Sequence, residues 1–198
     1  MLHRIRLAMQ ASGFTKLGGE VEVDETFIGG KARNMHKSKR DRVITGTGGK
    51  DKAMVQGIVE CGGQVRAFAV STRKKNELQK NIREHVEAGS VIFTDELKSY
   101  NGLEGDFEHQ VINHAVEYVN GNVHTNTMEN FWSLLKRGLH GTYVSVEPFH
   151  LFRYLDGQAF RYNNRKDTDA ERFVSVMKQI VGRRVTYKEL TGKTESGR

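Results

Sequence analysis

Apolar and polar positions along the chain alternate between two periods, and the changes of period outline an α/β protein. Leu2, Ile5 and Met9 recur at near-helical spacing and predict a short helix within residues 1–16, broken at Gly18-Gly19. From Glu20 to Ile28 the period drops to two around Val21 and Val23, which predicts a strand ended by Gly29-Gly30. Two further strands are expected over 53–61 and 64–70, joined by a Gly62-Gly63 hairpin turn. Leu78, Ile82 and Val86 mark one face of a helix over roughly 75–87, and the run Val91-Ile92-Phe93-Thr94 predicts an interior strand. Residues 110–113 suggest a fifth strand.

The second half reads as helices. Met128, Phe131, Leu135 and Leu139 form the apolar stripe of a helix over about 127–139, capped by Thr125 or Thr127, with Phe131 and Trp132 expected in the core. Pro148 opens a helix running to about Asn163. Phe173, Val176, Met177, Ile180 and Val181 give a last amphipathic helix, and residues 182–198 are expected to fray.

Composition narrows the class. The 198 residues are 37% hydrophobic, enough for one cored domain, and no stretch approaches the roughly 20 apolar residues of a membrane span. Charge interrupts the first residues before a signal peptide could develop, and a single cysteine, Cys61, excludes an internal disulfide or a Cys-rich zinc ribbon within these residues. A cytoplasmic protein with no membrane association is expected. The net charge of +7 is concentrated: residues 31–52 hold Lys31, Arg33, Lys37, Lys39, Arg40, Arg42, Lys50 and Lys52 against Asp41 and Asp51. Little apolar content and Gly46, Gly48 and Gly49 make this segment a mobile loop between strands, suited to a polyanion.

Three acidic stations carry the chemistry. Asp24 and Asp95 fall at matching places after apolar strands, and Glu129 lies in the first turn of a helix, 71 and 34 positions apart in succession. Carboxylates beside buried strands are costly unless cations or hydrogen-bond donors compensate them. Hard oxygen ligands from separate elements suit magnesium, and a pair of divalent ions about 3.5–4 Å apart can activate both the attacking and the leaving oxygen of a phosphodiester. Two aspartates at strand ends and a glutamate on a later helix describe a ribonuclease-H-like site. Glu25 and Glu96 compete with their aspartate neighbours for the metal role. Asn126 is placed either to orient a water at the site or to cap the helix. Lys136, two turns beyond Glu129, is placed to bind a phosphate, or is an ordinary solvated lysine.

The strings Gly19-Glu20-Val21-Glu22-Val23-Asp24-Glu25-Thr26-Phe27-Ile28-Gly29-Gly30-Lys31 and Thr94-Asp95-Glu96-Leu97-Lys98-Ser99-Tyr100 resemble bacterial insertion-sequence DDE transposases, those numbered fifteen-ninety-five. So does His124 to Gly138, around Asn126-Thr127-Met128-Glu129-Asn130-Phe131-Trp132. The resemblance covers about residues 1–165. It implies a ribonuclease-H-like fold with a mixed five-stranded sheet flanked by helices, plus C-terminal helices. It divides the chain into a helical lead-in (1–18), a catalytic domain (19–165), and a C-terminal helix with a flexible tail (166–198).

By position, the resemblance makes Asp24, Asp95 and Glu129 the catalytic, metal-holding triad, with Mg²⁺ as cofactor and Mn²⁺ as a substitute. Lys31, Arg33, Lys37, Lys39, Arg40, Arg42, Lys136 and Arg137 are the DNA-contacting candidates, and Asn126 supports the triad. Expected partners are transposon-end and target DNA, a second copy in a homodimer or larger assembly, and a full-length transposase copy. Family members usually carry a zinc ribbon and a helical DNA-binding segment ahead of the catalytic domain, just before which these residues begin. The expected activity is cleavage at transposon ends and strand transfer into target DNA. A catalytically silent DNA-binding remnant and a host nuclease of the same fold remain open alternatives.

Overall fold

A computed structural model describes residues 2–10, 15–29, 35–44, 52–112, 126–143 and 146–192. Five strands form one sheet: β1 (Glu20–Ile28), β2 (Ala53–Glu60), β3 (Val65–Val70), β4 (Val91–Thr94) and β5 (Glu108–Val111), in the order β3-β2-β1-β4-β5. β2 runs antiparallel to both β1 and β3, while β4 and β5 lie parallel to β1. A parallel neighbour needs a crossover, and helix α3 (Lys75–His85) supplies it between β3 and β4. This mixed sheet flanked by helices is the expected ribonuclease-H-like architecture. The fifth strand sits at 108–111, slightly ahead of its expected place.

The sheet separates two cores because successive side chains of a strand point to opposite faces. On one face Val21, Val23 and Ile58 pack with Leu78 and Ile82 of α3. On the other, Val55, Val59 and Val65 pack with Met128, Phe131, Trp132 and Leu135 of α4 (Asn126–Gly138) and Leu151 and Leu155 of α5 (Leu151–Asn163). Burying an aliphatic or aromatic side chain of this size contributes roughly 1.5–3 kcal/mol, so α4 is held mainly by its apolar stripe. The entry to α3 is fixed by Glu77, whose carboxylate accepts from the Ser71 and Thr72 N–H groups at 2.7 and 2.9 Å.

Three expectations are corrected. The basic segment is not loop throughout, because Lys37–Val43 forms helix α2. Lysine and arginine are good helix formers, but a run without apolar periodicity gives no amphipathic signal. The tail also contains a helix, α7 (Tyr187–Thr191), nucleated by a reciprocal cap between Thr186 and Glu189. In α6 (Asp169–Ile180) the apolar stripe is not an inner face: Val176 is buried, whereas Phe173, Met177, Ile180 and Val181 are exposed. α6 meets α1 (Leu2–Met9) through Val176, which joins Ala8 and Phe160. Among the described residues no helix is long and apolar enough to cross a membrane.

Candidate active site

The register of β1 places Glu22 and Asp24 on the α4 face and Glu25 on the α3 face. A cavity of about 40 Å³ opens beside the first two, lined by Glu22, Val23, Asp24, Phe93, Thr94, Asp95, Met128 and Glu129. That volume holds roughly three water-sized groups. Asp24, Asp95 and Glu129 therefore border one pocket, contributed by β1, the end of β4 and the first turn of α4. In both Asp–Glu pairs the aspartate lines the pocket and the following glutamate does not.

Local hydrogen bonds orient these acids. Asp24 Oδ1 accepts from the Glu25 N–H at 2.7 Å, and Asp24 Oδ2 accepts from Trp132 Nε1 at 2.9 Å. Asp95 Oδ1 accepts from the Leu97 N–H at 3.0 Å, which folds the chain back after β4. Glu22, only 1% exposed, accepts the Met128 N–H through Oε2 at 2.9 Å. It thereby serves the free N–H groups at the start of α4 from a neighbouring strand. Glu129 is exposed at the rim.

The pocket is strongly electronegative. Glu25, whose side chain is 1% exposed, has a carboxyl pushed up to about 7, first by burial, then by the charges of Asp95 and Asp24, with Arg73 opposing. Arg73 Nη2 stands 3.5 Å from Glu25 Oε2, and neither Glu25 oxygen accepts a hydrogen bond. Cys61, whose Sγ faces Glu22 Oε1 at 3.7 Å, has its thiol raised to about 12 by burial and by the nearby glutamates.

A divalent cation fits the donor set. Every titratable group lining the pocket is a carboxylate, the hard oxygen donor that such cations take. Among the described residues, however, no three acidic, histidine or cysteine side chains sit close enough to form a ready-made metal site.

Of the candidate DNA contacts, Lys37, Arg40 and Arg42 lie on α2, with Arg40 Nε 3.8 Å from Asp41. Lys136 and Arg137 lie in the last turn of α4, outside the pocket lining. Lys31, Arg33, His124 and Thr125 lie outside the described residues, as do the side chains of Lys39 and Asn126. Three participants escaped the sequence reading: Glu22, Trp132 in its polar role, and Gly57. Glu22 shares the strand parity of Asp24, and an isolated glycine inside a strand signals close approach of a neighbour. Both signals were present in one dimension.

A chain of the cryo-EM structure of the simian T-cell lymphotropic virus intasome in complex with the PP2A regulatory subunit B56 gamma overlays with a TM-score of 0.44 and 13% identity, covering 77% of this chain and 50% of that one. An uncharacterized transposase-like protein of Haemophilus influenzae is 32% identical over 101 residues, half of this chain and 79% of the relative. An uncharacterized protein in the transposable element ISH50 of Halobacterium salinarum is 29% identical over 133 residues, 62% of this chain and 45% of that protein. The model of the ISXO2-like transposase domain matches residues 16–163. The chain belongs to that transposase family.

Proposed function

We propose that the domain cuts phosphodiester bonds at transposon ends and joins the released strand to target DNA, with Asp24, Asp95 and Glu129 as its catalytic carboxylates. The observation that supports this most is the single pocket bordered by those three residues, one from each of three elements. Divalent ions, Mg²⁺ or Mn²⁺, held by the three carboxylates would supply electrophilic activation of the attacking and leaving oxygens. Anions crowded together repel, so full convergence of Glu129 on the two aspartates is expected to accompany cation and DNA binding.

In the first step a water oxygen bonds to phosphorus, the bond from phosphorus to the 3′ oxygen breaks, and a 3′-hydroxyl is freed. In the second, that hydroxyl attacks a target phosphodiester and displaces its 3′ oxygen. Lys37, Arg40 and Arg42 on α2, with Lys31, Arg33 and Lys39 in the same basic segment, would neutralise backbone phosphates without reading sequence. Lys136 and Arg137 would do so at the far end of α4, with Asn126 supporting Glu129 at its start. A second copy, and a longer transposase carrying the end-recognition segments, are the expected partners on DNA.

The test is cleavage and joining of labelled duplex carrying the ends of the encoding element, with Mg²⁺ or Mn²⁺, by the wild type and by Asp95→Asn. The reading requires metal-dependent products from the wild type and their loss in the variant. Equal activity in both removes Asp95 from the mechanism. Salt-sensitive DNA binding with no cleavage at any metal concentration identifies a silent binding module instead.

A further inference from the structure

We propose that Trp132 is the positioning residue for Asp24, and that Gly57 exists to make room for it. The inference rests on the function proposed above, since it concerns how one carboxylate of that site is held.

Asp24 on β1 stands directly opposite Gly57 on β2. Paired residues on adjacent strands share a face, so a side chain at position 57 would project beside Asp24. A Cβ there would lie 2.7 Å from Cη2 and from Cζ2 of Trp132, and 2.8 Å from Met128 Sδ. Position 57 is not among the positive-φ glycines, so the backbone does not demand glycine. A mid-strand glycine costs roughly 0.5–1 kcal/mol relative to alanine, and here the return is space. The bare backbone lets the indole settle onto the sheet beside Asp24, and its Nε1–H reaches Oδ2 at 2.9 Å.

The contact is binding on both partners. Trp132 is 5% exposed, and its indole has one donor and no acceptor. Without Asp24 that buried N–H would go unpaired, at a cost of about 1–3 kcal/mol. Asp24 in turn is gripped from two sides, by the indole on Oδ2 and by the Glu25 N–H on Oδ1. Both donors are neutral. They orient the carboxylate. Trp132 also lies one turn beyond Glu129 on α4, whose start is tied to β1 through Met128 N–H and Glu22. The two ties fix how the helix bearing Glu129 lies against the strand bearing Asp24.

Trp132 is the only tryptophan of the 198 residues, which makes it a reporter of its own contact. Titration of the wild type with Mg²⁺ should change indole emission saturably, and Asp24→Asn should abolish the change. Trp132→Phe keeps an aromatic ring in the Gly57 slot and removes the donor. Its midpoint for Mn²⁺, read from the paramagnetic resonance of free Mn²⁺, should rise about 10-fold, and the metal concentration for half-maximal cleavage should rise in parallel. Melting in EDTA should change little.

A Trp132→Phe midpoint equal to the wild type overturns the proposal, as does calorimetric Mg²⁺ binding that leaves wild-type emission unmoved. The emission test uses no core variant, so it decides even where Trp132→Phe folds poorly. A chain that binds Mn²⁺ and cuts no DNA refutes the proposed function while the midpoint still judges the role of Trp132. An unshifted midpoint with intact wild-type cleavage refutes only the role of Trp132.

Discussion

The two faces of β1 treat their carboxylates in opposite ways. On the α4 face, Glu22 and Asp24 accept hydrogen bonds from Met128 N–H, Glu25 N–H and Trp132 Nε1. On the α3 face, Glu25, its side chain 1% exposed, accepts none among the described residues and faces the Arg73 guanidinium at 3.5 Å. Gln56 stands directly opposite Glu25 but gives its amide N–H to Leu78 O and takes an N–H from Asn81. Burial of a carboxylate therefore does not by itself mark a site. On the α4 face the distinguishing feature is a set of backbone and indole donors that orient two carboxylates lining a cavity.

The largest effect should separate the two neighbours Asp24 and Glu25. Asp24→Asn keeps the shape and removes the charge on the pocket side. Loss of a cation-holding carboxylate costs several kcal/mol of transition-state stabilisation, on the order of 10²–10³-fold in the rate of metal-dependent cleavage. Glu25→Gln, outside the pocket lining, should stay within about 10-fold of the wild type. Single-turnover cleavage of end-labelled duplex measures both, and comparable losses would erase the distinction between the faces.

A smaller effect tests the tie between β1 and α4. Glu22→Ala removes the acceptor of the Met128 N–H and leaves a buried donor at the helix start, which should lower stability by about 1–3 kcal/mol in urea unfolding. Glu22→Gln retains an acceptor oxygen and should lose less. Equal losses would mean that negative charge at the helix N-terminus, rather than the hydrogen bond, does the stabilising.

Much of this was readable in one dimension, for identifiable reasons. The period-2 runs of β1 and β2 and the Leu78-Ile82 stripe of α3 carry their own burial pattern, so strand and helix positions follow from local spacing. Asp24 and Asp95 stand out in the sequence as acids after apolar runs; Asp24 proves to lie in the middle of β1 and Asp95 just past β4, and both line the pocket. α2 and α7 were missed because neither carries an apolar stripe, although the Thr186-x-x-Glu189 cap was present. The bond between Asp24 and Trp132 spans 108 positions, and nothing in either neighbourhood announces the other. Trp132 reads as core and is core; its polar edge acquires meaning only through the register that sets Gly57 against Asp24.

Asp156 on α5 offers the control, a partly buried carboxylate that lines no part of the pocket. Burial raises its carboxyl from 3.8 to about 6, with the charges of Arg153 and Arg183 opposing. The unfolded chain releases this proton at lower pH than the folded one, so between those values the folded state binds more protons. Its contribution to stability is therefore greatest below about pH 3.8 and declines as pH rises through about 6. The full difference corresponds to roughly 3 kcal/mol, and partial solvent access should leave about 1–2 kcal/mol of it. Asp156→Asn should match the wild type near pH 4, exceed its stability by that amount above pH 6.5, and leave cleavage unchanged. Urea unfolding at several pH values checks the first two, and a gap that does not widen with pH would show that ionisation at Asp156 carries no such cost.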